Sequence, residues 1–284
     1  MPVSERTTRR RILHLDGTQQ RWRTDEVAGE EPLEIRIGGV PLALTMRTPG
    51  HDFELAIGFL FTEGVVGEPS HIRSIRTCAA KQDAARSGVY NILDVTLAPG
   101  APPFDPRGGR NFYTTSSCGV CGKASIEALQ TRARWQVRDD PLMLDPALLA
   151  ALPDRLREAQ RVFERTGGLH GAALFDAAGN LVCLREDVGR HNAFDKVVGW
   201  AAGEGRLPLR SHVILASGRA SFELTQKALM AGIPALVAIS APSSLAIELA
   251  DDAGMTLVGF LRGPRMNVYA GHHRIVAVAA VTTA

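Results

Sequence analysis

The sequence predicts an α/β protein: a larger C-terminal α/β domain preceded by a smaller α+β unit of β-grasp-like type. Three observations predict it. Residues 212–262 alternate continuous apolar runs with helix-period segments, the pattern of parallel strands covered on both faces. The first hundred residues read strand, strand, helix, strand, strand. Between them lies "PGAPPFDPRGGR", residues 99–110, where four prolines and three glycines leave no periodicity. The predicted domains are therefore residues 1–110 and residues 111–284.

The elements follow in order. "MPVSERTTRRRILHLDG" is basic without an apolar run behind it, so it reads as a solvated, mobile tail and not as a secretory signal. "LEIRIGGVPLALTMR" alternates Ile35 with Ile37, then Leu42, Leu44 and Met46, across a Gly-Gly turn: two strands. In "TPGHDFELAIGFLFTEGVV" the period changes, and Phe53, Ala56, Ile57, Leu60 and Phe61 share one helical face before Gly64 stops it. "HIRSIRTC" and "VYNILDVTLA" are the next strands. Leucine spacing in "MLDPALLAALPDRLREAQRVFERTGG" predicts helix, broken at Pro153. A hairpin turns around Ala178-Gly179-Asn180, and a helix follows, capped by Asp187. Strands at Val213–Ala216, Ala235–Ile239 and Leu257–Phe260 then alternate with two helices.

Composition excludes several roles. With 32 basic and 30 acidic residues the net charge is +2, too little for a nucleic-acid coat, so any anion site must be local. No apolar run is long enough to span a bilayer. Four cysteines in 284 residues are too few for a disulfide framework. A reducing, cytoplasmic setting is expected, with Cys78 and Cys183 as small buried hydrophobes.

Cys118 and Cys121 are different. They stand in "TTSSCGVCGK", directly after the proline-glycine stretch, where a thiol is reachable from outside. Three readings fit C-x-x-C alone. A zinc site needs further ligands that no second pair supplies. A thioredoxin-like switch usually has an aromatic before the pair and a proline inside it. A carrier thiol fits glycines that keep the loop mobile, Lys123 to lower a thiolate pKa, and a second cysteine to attack or resolve the first.

Anion chemistry is expected at the strand ends, where helix N-termini expose free N–H groups. Ser217-Gly218-Arg219-Ala220-Ser221 and Ser240-Ala241-Pro242-Ser243-Ser244 are the two strand-to-helix loops, and Arg262, Gly263 and Arg265 close a third strand. Serines there also serve as plain helix caps. In "REDVGRHNAFDK", helical spacing puts His191 one turn from Asp195 and Asn192 one turn from Lys196. A His–Asp pair could act as a base or an oriented donor, and Gly189 suggests a close approach.

Taken together, "SSCGVCGK", "TGGLHGAALFD", "REDVGRHNAFDKVVG", "SGRASFELTQKALMAGIPALVAISAPSSLAIELA" and "TLVGFLRGPRMNVY" resemble the FdhD/NarQ family, in the same order from about residue 33 to Tyr269. The resemblance implies a cytidine-deaminase-like, three-layer C-terminal domain and a homodimer. It implies a sulfur carrier that takes sulfur from a cysteine desulfurase as a persulfide. The sulfur passes to the molybdenum cofactor, in its bis(molybdopterin guanine dinucleotide) form, before insertion into the formate dehydrogenase apoenzyme. Cys118 would bear the persulfide, with Cys121 its partner. The segment Phe260, Leu261, Arg262, Gly263, Pro264, Arg265 would bind the cofactor, and Ser217, Gly218, Arg219, Ser221, Ser243 and His191 are further candidates. GDP would mimic the nucleotide end, and no structural metal, nucleic acid or membrane is implied. Zinc deaminase chemistry is not expected, because position 172, two residues after His170, is alanine and not glutamate. The alternative is a non-catalytic cofactor-binding chaperone with a structural or zinc-binding cysteine pair.

Overall fold

A computed structural model describes residues 6–78, 91–103, 112–113 (backbone only) and 134–276. Cys118 and Cys121 lie outside the described residues.

Three sheets are seen among the described residues. Strands β1 (Thr7–Asp16) and β2 (Gln19–Ala28) form an antiparallel hairpin. This corrects the expectation of a tail. The Asp16-Gly17 dipeptide supplies the turn, with Gly17 at φ 57°, and the register sets Arg9 against Glu26 and Arg10 against Asp25. Opposite charges across a ladder turn a basic run into a strand.

The next sheet has strand order β5-β6-β3-β4-β7. It contains β3 (Glu31–Ile37), β4 (Val40–Arg47), β5 (Ile72–Cys78), β6 (Ile92–Leu97) and the two-residue β7 (Phe112–Tyr113). Gly38 and Gly39, both at positive φ, make the expected turn between β3 and β4. Alternation buries Leu33, Ile35 and Ile37 against helix α1 (Asp52–Thr62).

The last sheet, order β13-β12-β11-β10-β8-β9, is mixed. Strands β10 (His212–Ala216), β11 (Ala235–Ala238) and β12 (Thr256–Arg262) are parallel, as their unbroken apolar runs predict. The hairpin β8 (His170–Asp176)–β9 (Leu181–Asp187) and strand β13 (Arg265–Ala270) flank them antiparallel. Alternate residues face opposite layers. Val213 and Leu215 pack beneath α2 (Pro146–Ala159), while Ile214 and Ala216 face α4 (Arg190–Gly203), α5 (Phe222–Met230) and α6 (Ser244–Ala253).

Helix α2 runs through Pro153, and the interruption falls instead at Gln160, before the short α3 (Arg161–Thr166). Leu149, Leu152 and Leu156 bury one face of α2 on both sides of the proline. That packing outweighs the ~3 kcal/mol a mid-helix proline typically costs.

Helices α1 and α4 cross almost backbone to backbone. A Cβ on Gly58 would lie 1.8 Å from the Asp195 carbonyl oxygen, and one on Gly199 1.8 Å from that of Glu54. Arg185 on β9 clamps the same joint, donating from Nε and Nη2 to Glu54 at 2.5 and 2.8 Å. Burial opposes ionisation of Glu54, yet the bonds from Arg185 and His51 bring its pKa down to about 2. One apolar cluster consequently runs from Leu33 to Ala270, with a second beneath α2. No helix among the described residues is long and apolar enough to cross a membrane.

Candidate functional site

The C-terminal ends of β10, β11 and β12 open on one edge, as parallel order requires. Backbone bonds tie the three strand ends in series. Ser217 N–H donates to Gly171 O, Ser240 N–H to Gly218 O, and Phe260 N–H to Ser240 O, at 3.0, 3.3 and 3.1 Å. Ser243 N–H reaches Ala220 O at 3.0 Å. The edge is therefore a continuous ledge carrying all the sequence-predicted strand-end residues.

Their side chains are committed to different degrees. Ser217 Oγ accepts the Gly171 N–H at 2.9 Å, which fixes the loop to β8. Ser243 Oγ accepts from Ala246 N–H at 3.3 Å and caps α6, the ordinary use of such a serine. Ser221 sits at the N-cap of α5 without a side-chain capping bond. Arg219, Arg262 and Arg265 are exposed, and Arg262 and Arg265 face each other across the turn at Gly263 and Pro264. Leu261 is buried, anchoring that turn in the core beneath α2. Phe260 combines 40% exposure with φ 52°. A bulky residue in the left-handed region is strained, and such strain gathers at functional sites.

His191 lies in the first turn of α4, but it is not paired with Asp195. Its Nε2 is buried, has no hydrogen-bond partner, and lies 3.9 Å from Glu223. Burial, then the neighbouring Arg190 and Lys227 charges, pushes its pKa down to about 4, so the ring is neutral near pH 7. His170, at the start of β8, is likewise lowered by burial and by Arg190. Glu223, although partly buried, is held below the usual carboxylate range by Ser221 and its own backbone N–H.

Asp195 instead points into the core. Lys227 Nζ donates to its two oxygens at 2.8 and 2.9 Å, and Thr62 Oγ1 at 2.7 Å. Burial raises the Asp195 pKa to about 6 against those partners. Lys196 pairs with Asp187 at 2.7 Å, both fully buried. Asp187 ends β9 and does not cap α4; the N-cap is Gly189, whose N–H it accepts at 2.8 Å. The polar density of "REDVGRHNAFDK" is thus largely ion pairs, Arg185 with Glu54, Asp187 with Lys196 and Asp195 with Lys227, leaving Arg190 and His191 at the edge. The crowding at Gly189 comes from the Asn192 side chain, 3.0 Å from where a Cβ would sit.

Cys183 is buried, and burial pushes its thiol up to about 12; Cys78 is only half-buried, at the end of β5. Among the described residues no three His, Cys, Asp or Glu side chains gather as metal ligands would. Sequence reasoning passed over Arg190, Glu223 and Gln160. Arg190 sits beside the flagged histidine, whereas the other two are ordinary helix residues until the fold brings them to the edge.

These features define a class: a mixed α/β protein whose parallel strand ends form a serine- and arginine-lined ledge suited to an anionic ligand. Comparison with known proteins narrows it. The sequence model of the FdhD/NarQ family matches residues 28–276, and the chain belongs to that family. The sulfur carrier protein FdhD of Streptomyces avermitilis is 60% identical over 276 residues, covering 96% of this chain and 97% of the relative. Its namesake from Streptomyces coelicolor is 58% identical, covering 97% and 98%. The fold is shared with a crystal structure described as a formate dehydrogenase accessory protein from Desulfotalea psychrophila. That match has a TM-score of 0.72 at 24% identity, covering 96% of this chain and all of that one.

Proposed function

We propose that this chain is a cytoplasmic sulfur carrier for formate dehydrogenase maturation. Cys118 thiolate attacks the persulfide of a cysteine desulfurase and takes its outer sulfur, releasing the desulfurase thiolate with no net redox change. The loaded sulfur is delivered to the molybdenum cofactor in its bis(molybdopterin guanine dinucleotide) form, before insertion into the apoenzyme. Attack of Cys121 on the inner sulfur of the Cys118 persulfide would form a Cys118–Cys121 disulfide. The outer sulfur would leave as sulfide, the two electrons coming from the thiol pair. A separate reductant would then be needed to reopen the disulfide.

One observation carries this reading: near-full-length identity of about 60% to a relative named as a sulfur carrier. The cysteine pair and the ledge accord with it. The cofactor's guanine nucleotide phosphates would lie along Ser217–Ser221 and Arg262–Arg265, with GDP as a mimic. The proposal includes a homodimer, a division near residue 110, a β-grasp-like first unit and a cytidine-deaminase-like second one.

Intact-mass spectrometry after incubation with a cysteine desulfurase and cysteine tests it. A gain of one sulfur, lost on reduction and absent in Cys118→Ala, is expected. A Cys118→Ala protein that still loads sulfur and matures formate dehydrogenase at the normal rate would end it. A protein that never loads sulfur but binds the cofactor would be a chaperone and not a carrier.

A further inference from the structure

Strands β1 and β2 form a two-stranded ribbon that pairs with neither of the other sheets. Its root is seated on α3. Arg165 bonds the Glu26 carboxylate and donates to Thr7 Oγ1 at 3.2 Å, and the Ala28 methyl lies 3.3 Å from where a Cβ on Gly168 would sit. Farther out, every residue from Leu15 to Thr24 is exposed. Ten residues per strand, at about 3.3 Å each, make an arm roughly 30 Å long. A bare two-stranded ribbon is marginally stable in water, so an arm of this length gains from a partner that covers it.

Side chains directly opposite each other in an antiparallel pair share a face. The register therefore sets Leu13 beside Trp22, with Leu15 next along the same face and Arg11 on the other side. Leu13, Leu15 and Trp22 are 43%, 63% and 61% exposed. One exposed leucine needs no explanation, but a contiguous apolar group marks an interaction surface. Arg11 stacks on the Trp22 ring at 4.9 Å, which orders the indole before any partner arrives. Tryptophan and arginine are also the side chains most often found to anchor protein interfaces. The other face carries Arg10, Arg21 and Arg23 around Ile12. Beyond the root the arm thus sets Arg10, Arg11, Arg21 and Arg23 against only Asp16 and Asp25, a basic balance that calls for an acidic partner.

The place of the root narrows the choice of partner. Gly168 stands just before His170, where β8 begins, and Gly171 O accepts the Ser217 N–H of the ledge. The arm is therefore rooted beside the ledge, and a protein that grips it is held next to the ligand site. We propose that the β1–β2 arm docks the protein that takes the cofactor from the ledge, the formate dehydrogenase apoenzyme, through a surface with an apolar centre and a carboxylate rim. The assignment rests on the carrier reading above. A nucleic acid matches the arm less well, because it offers nothing aliphatic to Leu13 and Leu15 and its phosphates would meet Asp16 and Asp25. A second copy matches less well too: a two-fold contact between two such arms sets the same arginines against one another.

Biolayer interferometry on the full chain, with formate dehydrogenase apoenzyme lacking its cofactor as the probe, tests the arm. Trp22→Ala should weaken binding at least roughly tenfold, and so should Arg21→Glu combined with Arg23→Glu. All three side chains are exposed, so both variants should fold as wild type does. Raising salt from about 50 to about 300 mM should weaken wild type more than the charge-reversed variant. Sulfur loading on Cys118 and affinity for GDP should be unchanged in both. If wild type binds the apoenzyme and the variants bind it equally well, the arm is overturned and the carrier reading stands. Wild type that loads sulfur yet never binds the apoenzyme overturns the arm as well, and wild type that does neither brings down both. Variants that hold the apoenzyme normally but lose sulfur loading, self-association or RNA binding would put the desulfurase, a second copy or RNA on the arm instead, and each of those results overturns the assignment.

Discussion

Replacing Gly199 by alanine puts two physical effects in direct opposition. On helix propensity alone the change should stabilise α4 by up to about 1 kcal/mol. The crossing with α1 predicts the reverse. The added methyl would start 1.8 Å from the Glu54 carbonyl oxygen, within 2.6 Å of its carbon and 2.9 Å of its Cα. Carbon–oxygen contacts normally settle near 3.3 Å or beyond, so the helices must part by about 1.5 Å. The obstacle is backbone and cannot rotate away. Parting the helices loosens Leu55, Phe59 and Val198 in the shared core and stretches the Arg185–Glu54 clamp. Overpacking in a close-packed interior costs about 1–3 kcal/mol, sometimes more, and here it exceeds the propensity gain. Urea unfolding at pH 7.5 would show the net loss as a lower midpoint. Gly203 is the control: it ends the same helix, and nothing lies within 4 Å of its added Cβ. Gly203→Ala should leave the midpoint level or raise it. A Gly199→Ala midpoint at or above wild type would refute the claim that the Gly58–Gly199 crossing holds the two halves together.

Three further outcomes are expected. Lys227→Met should destabilise by about 3–5 kcal/mol, because it strands the fully buried Asp195 without its cation, and adding Asp195→Asn should recover part of the loss; the same urea titration reads both. His191 should make stability fall with acid: its folded pKa of about 4 lies below the usual 6.5, so its contribution is complete above about pH 6.5 and is lost as pH falls through 4, on the order of 3 kcal/mol. His191→Gln should flatten melting temperature against pH over that window, and an unchanged slope would show that other groups set it. Arg262→Ala should weaken GDP at least roughly tenfold, the worth of one charge-assisted phosphate contact, and unchanged affinity in both Arg262→Ala and Arg265→Ala would misplace the nucleotide site.

What the sequence made legible was local. Period-two alternation in 33–47, the change of period at Phe53 and the unbroken apolar runs at 213–216 and 235–238 each report burial within one element, and burial decided them. The Asp16-Gly17 turn is equally local, but the basic run Arg9–Arg11 has the composition of a solvated tail until its cross-strand partners Glu26 and Asp25 are in place. Pro153 misled for the opposite reason: the leucines around it are held by contacts with β10, β12 and β13, which no helix-breaking rule weighs.

The network around Asp195 and Asn192 was beyond local reading because its partners are far apart in the chain, whereas Lys196 meets Asp187 from the adjoining element. Asp195 meets Thr62 across 133 residues and Lys227 across 32, and Asn192 meets Met46 across 146. On a helical wheel Asp195 pairs equally well with His191, and only the packing of α1 and α5 against α4 decides otherwise. That choice has a consequence for chemistry. With its Asp195 carboxylate turned inward, α4 leaves His191 at the edge with Glu223 of α5, 3.9 Å from its Nε2, as its anionic neighbour. The His–Asp base suggested by spacing therefore does not exist, and the edge instead presents a neutral histidine beside Arg190. The carboxylate beside the ring is thus Glu223, from a different helix, and at 3.9 Å it lies beyond hydrogen-bonding distance. In the sulfur transfer proposed above the nucleophile is a cysteine thiolate, so that reading calls for no His–Asp base at this edge.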